Sequence, residues 1–246
     1  MEAYTSFAQV YDMFMDNVPY EDWATYIYKQ FHKHGITDGK ILDLGCGTGK
    51  ITSFLSKKGY DMVGVDSSIE MLEVAAFRND TDIMYLHQDI VEMDLYSDFK
   101  AAYSTCNCLN YVLEDTDLYD VFQRVYDKLE DGGLFIFDLN TEYKYREILQ
   151  DNTFAENRED GSFIWDNYFD TENNINEYQL ALFIKQNDNI YKKYEEVHYQ
   201  RAYSLVLIQK MLETNGFTVL EINDEYSDEK AKEDSEIVTI IAQKKC

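Results

Sequence analysis

A chain of 246 residues, 45% hydrophobic and 15% aromatic, is long enough to bury one large core, or one core with an insertion. Its 47 acidic and 22 basic residues leave a net charge of −25 and a pI near 4.3. The basic residues cluster only in pairs at 57–58, 192–193 and 244–245, so nucleic acid and anionic membranes are not expected as partners. Four cysteines (Cys46, Cys106, Cys108 and Cys246) form no C-x-x-C pair and no disulfide framework, and without a histidine at ligand spacing no metal is expected. There is no apolar run of membrane length and no leader at Met1, so a reduced, cytoplasmic protein is the expectation.

The opening reads as a helix, capped by Ser6 and Gln9, with Phe7, Val10, Tyr11 and Phe14 on one face. A second helix is expected over 21–33, stopping before Gly35. From Lys40 the period changes. Ile41-Leu42-Asp43-Leu44 is a short buried strand that runs into Gly45-Cys46-Gly47-Thr48-Gly49, then a helix with Ile51, Phe54 and Leu55 inward. A strand over 62–66, a helix capped by Ser67 and Glu70, and strands over 83–86 and 99–104 continue the alternation. A helix with Leu118, Val121, Phe122, Val125 and Leu129 inward should end at Gly132-Gly133, before a fifth strand over 134–137. Such alternation predicts βαβ units and a parallel sheet in an α/β fold.

Between 152 and 201 the period falls to two, interrupted at Asn173-Asn174 and Asn187-Asp188-Asn189. That predicts an antiparallel sheet of three or four strands inserted after the fifth strand. A helix over 204–215 closes at Gly216, and strands over 217–222 and 237–242 make a terminal hairpin. The acidic segment between them, 224–234, is expected to be a solvated loop.

The glycine loop lies between a strand and a helix, where backbone can approach a ligand and free N–H groups gather. Its spacing is G-x-G-x-G, not the G-x-G-x-x-G of dinucleotide binders. Asp43, just before the loop, disfavours a pyrophosphate and favours an ammonium. Asp66, at the tip of the second strand, is placed to accept the hydroxyls of a ribose.

The run from Ile41 to Gly49 resembles the first motif of class I S-adenosylmethionine (SAM)-dependent methyltransferases. That family's second acid matches Asp66, its adenine-side motif Gln88-Asp89-Ile90, its fourth-strand motif Ser104-Thr105-Cys106-Asn107, and its fifth-strand motif the run 134–139. The resemblance implies a doubly wound, mostly parallel seven-stranded sheet within one domain over 1–246. It also implies SAM as cofactor. Asp43 would hold the donor's amino group, Gly45, Cys46, Gly47 and Gly49 would pass under its methionine portion, and Asp66 with Ser67 would take the ribose. Gln88, Asp89 and the Ile90 backbone would read the adenine, Cys106 would contribute backbone contacts, and Tyr11 would close over the methionine end. The flanks, 7–12 and 198–203, are similar to small-molecule N-methyltransferases acting on amino sugars or glycine-type amines. In those enzymes the counterparts of 1–35 and 152–201 cover the donor and form the acceptor pocket.

The expected partner is therefore a small-molecule acceptor, with Tyr111 and Arg201 as candidate contacts. His198 reads either as a structural histidine or as a base, and Arg201 either as a clasp for an acceptor carboxylate or phosphate or as the partner of a nearby acid. A macromolecular methyltransferase and a SAM-binding protein without turnover stay open as alternatives. The sequence does not define an oligomeric state.

Overall fold

The computed structural model describes residues 12–78, 82–187 and 190–245; the expected opening helix around Phe7, and Tyr11 with it, lies outside them. A helix α1 (Tyr20–Lys33) precedes the alternating strands and helices β1 (Lys40–Leu44), α2 (Lys50–Lys57), β2 (Asp61–Asp66), α3 (Ile69–Phe77), β3 (Met84–His87), β4 (Phe99–Ser104), α4 (Asp115–Lys128) and β5 (Leu129–Asn140). A π-helical turn, Lys144–Leu149, leads into β6 (Thr153–Asn157), β7 (Gly161–Asp170), β8 (Ile175–Asn187) and β9 (Ile190–Arg201). The described chain finishes with α5 (Leu205–Thr214), β10 (Phe217–Asp224) and β11 (Ile237–Lys244).

The main sheet has seven strands in the order β10-β11-β5-β4-β1-β2-β3. β1 to β5 pair in parallel, and β11 pairs antiparallel with β5 and β10. This is the doubly wound fold expected from the motif order. β1 is central, and Ile41, Leu42 and Leu44 have no exposed surface, as a strand covered on both faces reads as a nearly continuous apolar run, broken here by the buried Asp43. On one face Leu42, Leu44, Val63 and Val65 pack with the inward residues of α4 and α5. On the other, Ile41, Met62, Ala101 and Ile136 pack with α1 and α2.

Two local expectations change. Gly132-Gly133 do not stop a helix: β5 begins at Leu129, and its register against β4 jumps from Phe99–Leu129 to Ala101–Leu134. A Cβ at Gly133 would sit 2.9 Å from Glu130 O and 3.0 Å from Lys100 O, so the glycine serves this bulge. The cap of α3 is Ser68, whose hydroxyl accepts from the Met71 amide at 3.2 Å, and not Ser67.

The inserted sheet is antiparallel, in the order β6-β7-β8-β9. Alternate residues of β9 (Glu196, His198 and Gln200) are buried, whereas Val197 and Tyr199 face outward. Asn110, in the 3-10 turn after β4, ties this sheet to the main one: its amide donates to Asn140 O and Arg201 O at 3.2 and 2.8 Å. The insertion thereby sits over the C-terminal ends of β4 and β5, where open α/β sheets place their ligands. Among the described residues no helix is long and apolar enough to cross a membrane.

Candidate active site

The glycine loop is fastened to β2 by its own backbone. Gly45 N and Cys46 N both donate to Val65 O, at 2.8 and 3.0 Å. Gly47 N donates to Asp66 Oδ2 and Ser68 N to Asp66 Oδ1, each at 2.8 Å. The Asp66 carboxylate is thus fixed by two main-chain amides, and each oxygen keeps a lone pair for a ligand. Burial raises its pKa.

The loop glycines divide by role. At Gly45 (φ +70°) a Cβ would collide with Cys108 Sγ, and at Gly49 (φ +72°) with the Tyr85 hydroxyl. At Gly47 (φ +53°) a Cβ would meet nothing within 4 Å, because open space lies above it. Beneath the loop, Asp43 is buried. Its Oδ2 accepts from Thr52 Oγ1 and Tyr103 OH at 2.5 and 2.6 Å, while Oδ1 is buried with no hydrogen-bond partner. Burial pushes its carboxyl up to about 7.

Above the loop lies a cavity of about 530 Å³, walled by Gly45, Gly47, Asp66, Ser67, Asp89, Ile90, Cys106 and Tyr111. Asp89 Oδ1 is held by the Val91 amide at 2.8 Å. Four expected contacts are not on this wall: Asp43 lies beneath the loop, and Cys46, Gly49 and Gln88 turn elsewhere. The Cys46 side chain turns back toward Gly64, Gly49 packs on Tyr85 as described, and Gln88 exchanges hydrogen bonds with the Asp94 backbone. Tyr11 lies outside the described residues, but its neighbour Asp12 binds Thr48 Oγ1 at 2.9 Å and pairs with Lys50 and Arg78. The segment beside Tyr11 is therefore anchored to the glycine loop.

A second cavity, of about 370 Å³, opens between the two sheets. Its walls are rich in aromatic rings (Trp23, Phe163, Trp165 and Tyr178), with Asn107, Asn140, Lys144, His198 and Gln200 as polar positions. Cys106 and Tyr111 line both cavities, so the two meet there. His198 Nε2 lies 3.0 Å from Glu196 Oε2, and both side chains are 5% exposed. The Tyr111 ring meets the His198 ring edge-on at 5.9 Å. Gln200 Oε1 accepts from the hydroxyls of Tyr145 and Tyr178 and from Asn140 Nδ2.

The meeting point is braced from behind. Cys106 and Asn107 both have left-handed backbone (φ 59° and 58°), and Asn107 N donates to Asp138 Oδ1 at 2.8 Å. Asp138 Oδ2 accepts from Tyr226 OH at 2.7 Å, and Tyr226 stacks on Trp23 at 4.5 Å. Burial pushes the Asp138 carboxyl up to about 6. The acidic segment 224–234 is thus not merely a solvated loop, since it carries a supporting tyrosine. Burial also holds the Cys106 and Cys108 thiols well above their ordinary range, so neither is poised as a thiolate.

Arg201 lines neither cavity. Its guanidinium donates to Leu113 O at 2.6 Å and pairs with Asp115 at 2.8 Å, clamping β9 to the segment after β4. Sequence reasoning gave no individual role to Asp138, Asn140, Glu196, Gln200 or Tyr226. Only Asp138 carried a signal, as a single acid interrupting the apolar run 134–139. Among the described residues no cluster of three or more His, Cys, Asp or Glu side chains is placed to hold a metal.

Residues 41–133 match the methyltransferase-domain family. A protein of Geobacillus sp. (strain WCH70), provisionally assigned as a methyltransferase, is 36% identical over 246 residues, covering 98% of this chain and 100% of its own. An S-adenosylmethionine-dependent methyltransferase from Clostridium acetobutylicum ATCC 824 superposes with a TM-score of 0.90 at 28% identity, covering 100% of both chains. The sugar N-methyltransferase KedS8 from Streptoalloteichus sp. ATCC 53650 shares the fold, with a TM-score of 0.78 at 14% identity over 96% of this chain and 93% of its own.

Proposed function

Because the chain belongs to the SAM-dependent methyltransferases, we propose that its acceptor is a small molecule, an amine, taken up in the aromatic-lined cavity. The observation that carries this reading is the junction at Cys106 and Tyr111, where a donor-sized cavity meets a smaller one between the sheets. Both volumes lie in the range of small-molecule sites. The net charge of −25 argues against a nucleic-acid acceptor. The sugar N-methyltransferase with the same fold is consistent with an amine.

The donor site fits its group on two counts. Gly47 leaves open space where any side chain would intrude, and Asp43 Oδ1 is a buried oxygen without a partner, suited to an ammonium reached directly or through water. Asp66 would accept the ribose hydroxyls, and Asp89 with the Ile90 amide would read the adenine edge. SAM supplies a sulfonium methyl already activated for in-line displacement by a nucleophile. The protein's share is alignment and exclusion of water. His198, oriented by Glu196, would take the proton from an acceptor that arrives as an ammonium.

S-adenosylhomocysteine should raise the melting temperature and NAD should not. A shift with NAD and none with S-adenosylhomocysteine would contradict the donor assignment.

A further inference from the structure

Lys144 and Glu156 are the two Lys, Arg, Asp or Glu side chains on the described wall of the acceptor cavity, and their situations differ. Glu156 is ion-paired with Arg158. Among the described residues no carboxylate lies within ion-pair distance of Lys144, although Lys50 and Arg78 are neutralised by Asp12, and Arg201 by Asp115. In a chain with 47 acidic and 22 basic residues, an unpaired ammonium at a cavity wall is an exception.

Its backbone is held by hydrogen bonds. Lys144 N donates to Thr141 Oγ1 at 3.1 Å, and that hydroxyl donates to Ser235 O at 2.7 Å. Lys144 opens the π-helical turn Lys144–Leu149, a conformation frequent at functional sites. The next residue, Tyr145, reaches Gln200. Because Gln200 Oε1 already takes three protein donors, the opposite end of that amide, Nε2, is left to serve the cavity. Lys144 and Gln200 thus line one cavity from a shared scaffold.

Burial lowers the pKa of Lys144, while Glu236, Asp138 and Glu225 act in the opposite sense. Glu225 and Glu236 line a separate recess on which Lys144 also borders. These acids favour the ammonium form without contacting it, so the strong charge-assisted bond remains available to a ligand.

We infer that the acceptor carries an anionic oxygen group, a carboxylate or a phosphate, bound by Lys144 Nζ with help from the Gln200 amide. This rests on the acceptor-cavity reading above, and it gives Lys144 the place that the sequence offered to Arg201. The group would sit among aromatic walls, where a paired charge is held more strongly than in water.

The test uses the full chain saturated with S-adenosylhomocysteine, with benzoate, phenyl phosphate and the neutral isostere benzamide as probes in ligand-observed NMR titrations. Benzoate or phenyl phosphate should bind at least about tenfold tighter than benzamide, and the tighter of the two identifies the anion. Lys144→Gln should erase the preference, and Lys144→Arg should retain most of it. Benzamide binding as well as both anions, no probe binding, or a preference that survives Lys144→Gln would each overturn the inference. Calorimetry with S-adenosylhomocysteine alone separates this from the donor reading, because Lys144→Gln should leave that affinity unchanged.

Discussion

The two cavities that meet at Cys106 and Tyr111 are built by different means. The donor side is shaped by main chain: the Gly47 and Ser68 amides fix Asp66, Val65 O fixes the loop, and Gly47 leaves the space. On the acceptor side, side chains from α1, the turn after β5, β7, β8 and β9 do the shaping, joined through Gln200 and Asn140. A site made of backbone tolerates little variation and serves one ligand. A site made of side chains can change its ligand by substitution while the backbone stays put. Substitutions should therefore separate the two functions.

The largest expected effect is on the acceptor side. His198→Asn should lower kcat by about 10²–10⁴ for an acceptor that arrives protonated, with S-adenosylhomocysteine affinity within about twofold of wild type. An equal loss of donor affinity would show that the cavities are not separable. Next in size is Asp66→Ala, which should weaken S-adenosylhomocysteine binding by about 2–3 kcal/mol, or 30–150-fold, measured by calorimetry. Unchanged affinity in the folded variant would reassign Asp66 to a structural role.

Asp43 adds a pH dependence. With its carboxyl near 7, the ligand-free protein is protonated there below that pH, whereas an ammonium ligand favours the charged form. Donor affinity should thus fall by up to about tenfold per pH unit below 7, with a proton released on binding. Folding follows the opposite sign. A carboxyl whose folded pKa lies above its unfolded value near 4 loses its stability contribution as pH rises from there through 7. Asp43→Asn should therefore stabilise the ligand-free protein by about 1–2 kcal/mol at pH 8, while abolishing the pH dependence of binding. A wild-type affinity that is flat between pH 5.5 and 8 would remove Asp43 from the donor site.

The smallest effect belongs to the brace behind the junction. Tyr226→Phe leaves Asp138 without one of its donors and should cost about 1–2 kcal/mol in denaturant unfolding. No loss would mean that the stacking on Trp23, and not the hydroxyl, holds the segment.

This same division governed what the sequence could reveal. Asp43, the glycines and Asp66 lie at ends of neighbouring parallel strands, so residues close in sequence converge in space and their spacing carries the signal. Even there, spacing could not tell Gly47, which faces the ligand space, from Gly49, which makes room for Tyr85. Nor could it show that Gln88 turns to Asp94. On the acceptor side, convergence depends on how β9 docks against the main sheet. Alternation placed His198 on a face, but its Glu196 partner and the Gln200 network emerge only from that docking. Arg201 stayed open between a ligand clasp and the partner of an acid, because its partners, Leu113 O and Asp115, lie on a segment far away in the chain. Tyr226 was hidden for a similar reason, since its burial depends on Trp23 and Asp138.

The central claim, methyl transfer between these two cavities to a small molecule, is tested most directly by incorporation of tritiated methyl from SAM. Small-metabolite, RNA, DNA and protein fractions would be offered in parallel to wild type and Asp66→Ala. The account predicts label in the small-metabolite fraction, none in RNA or DNA, and loss of that label with Asp66→Ala. Label in RNA that Asp66→Ala abolishes would contradict the acceptor assignment, and tight S-adenosylhomocysteine binding with no label in any fraction would contradict turnover itself.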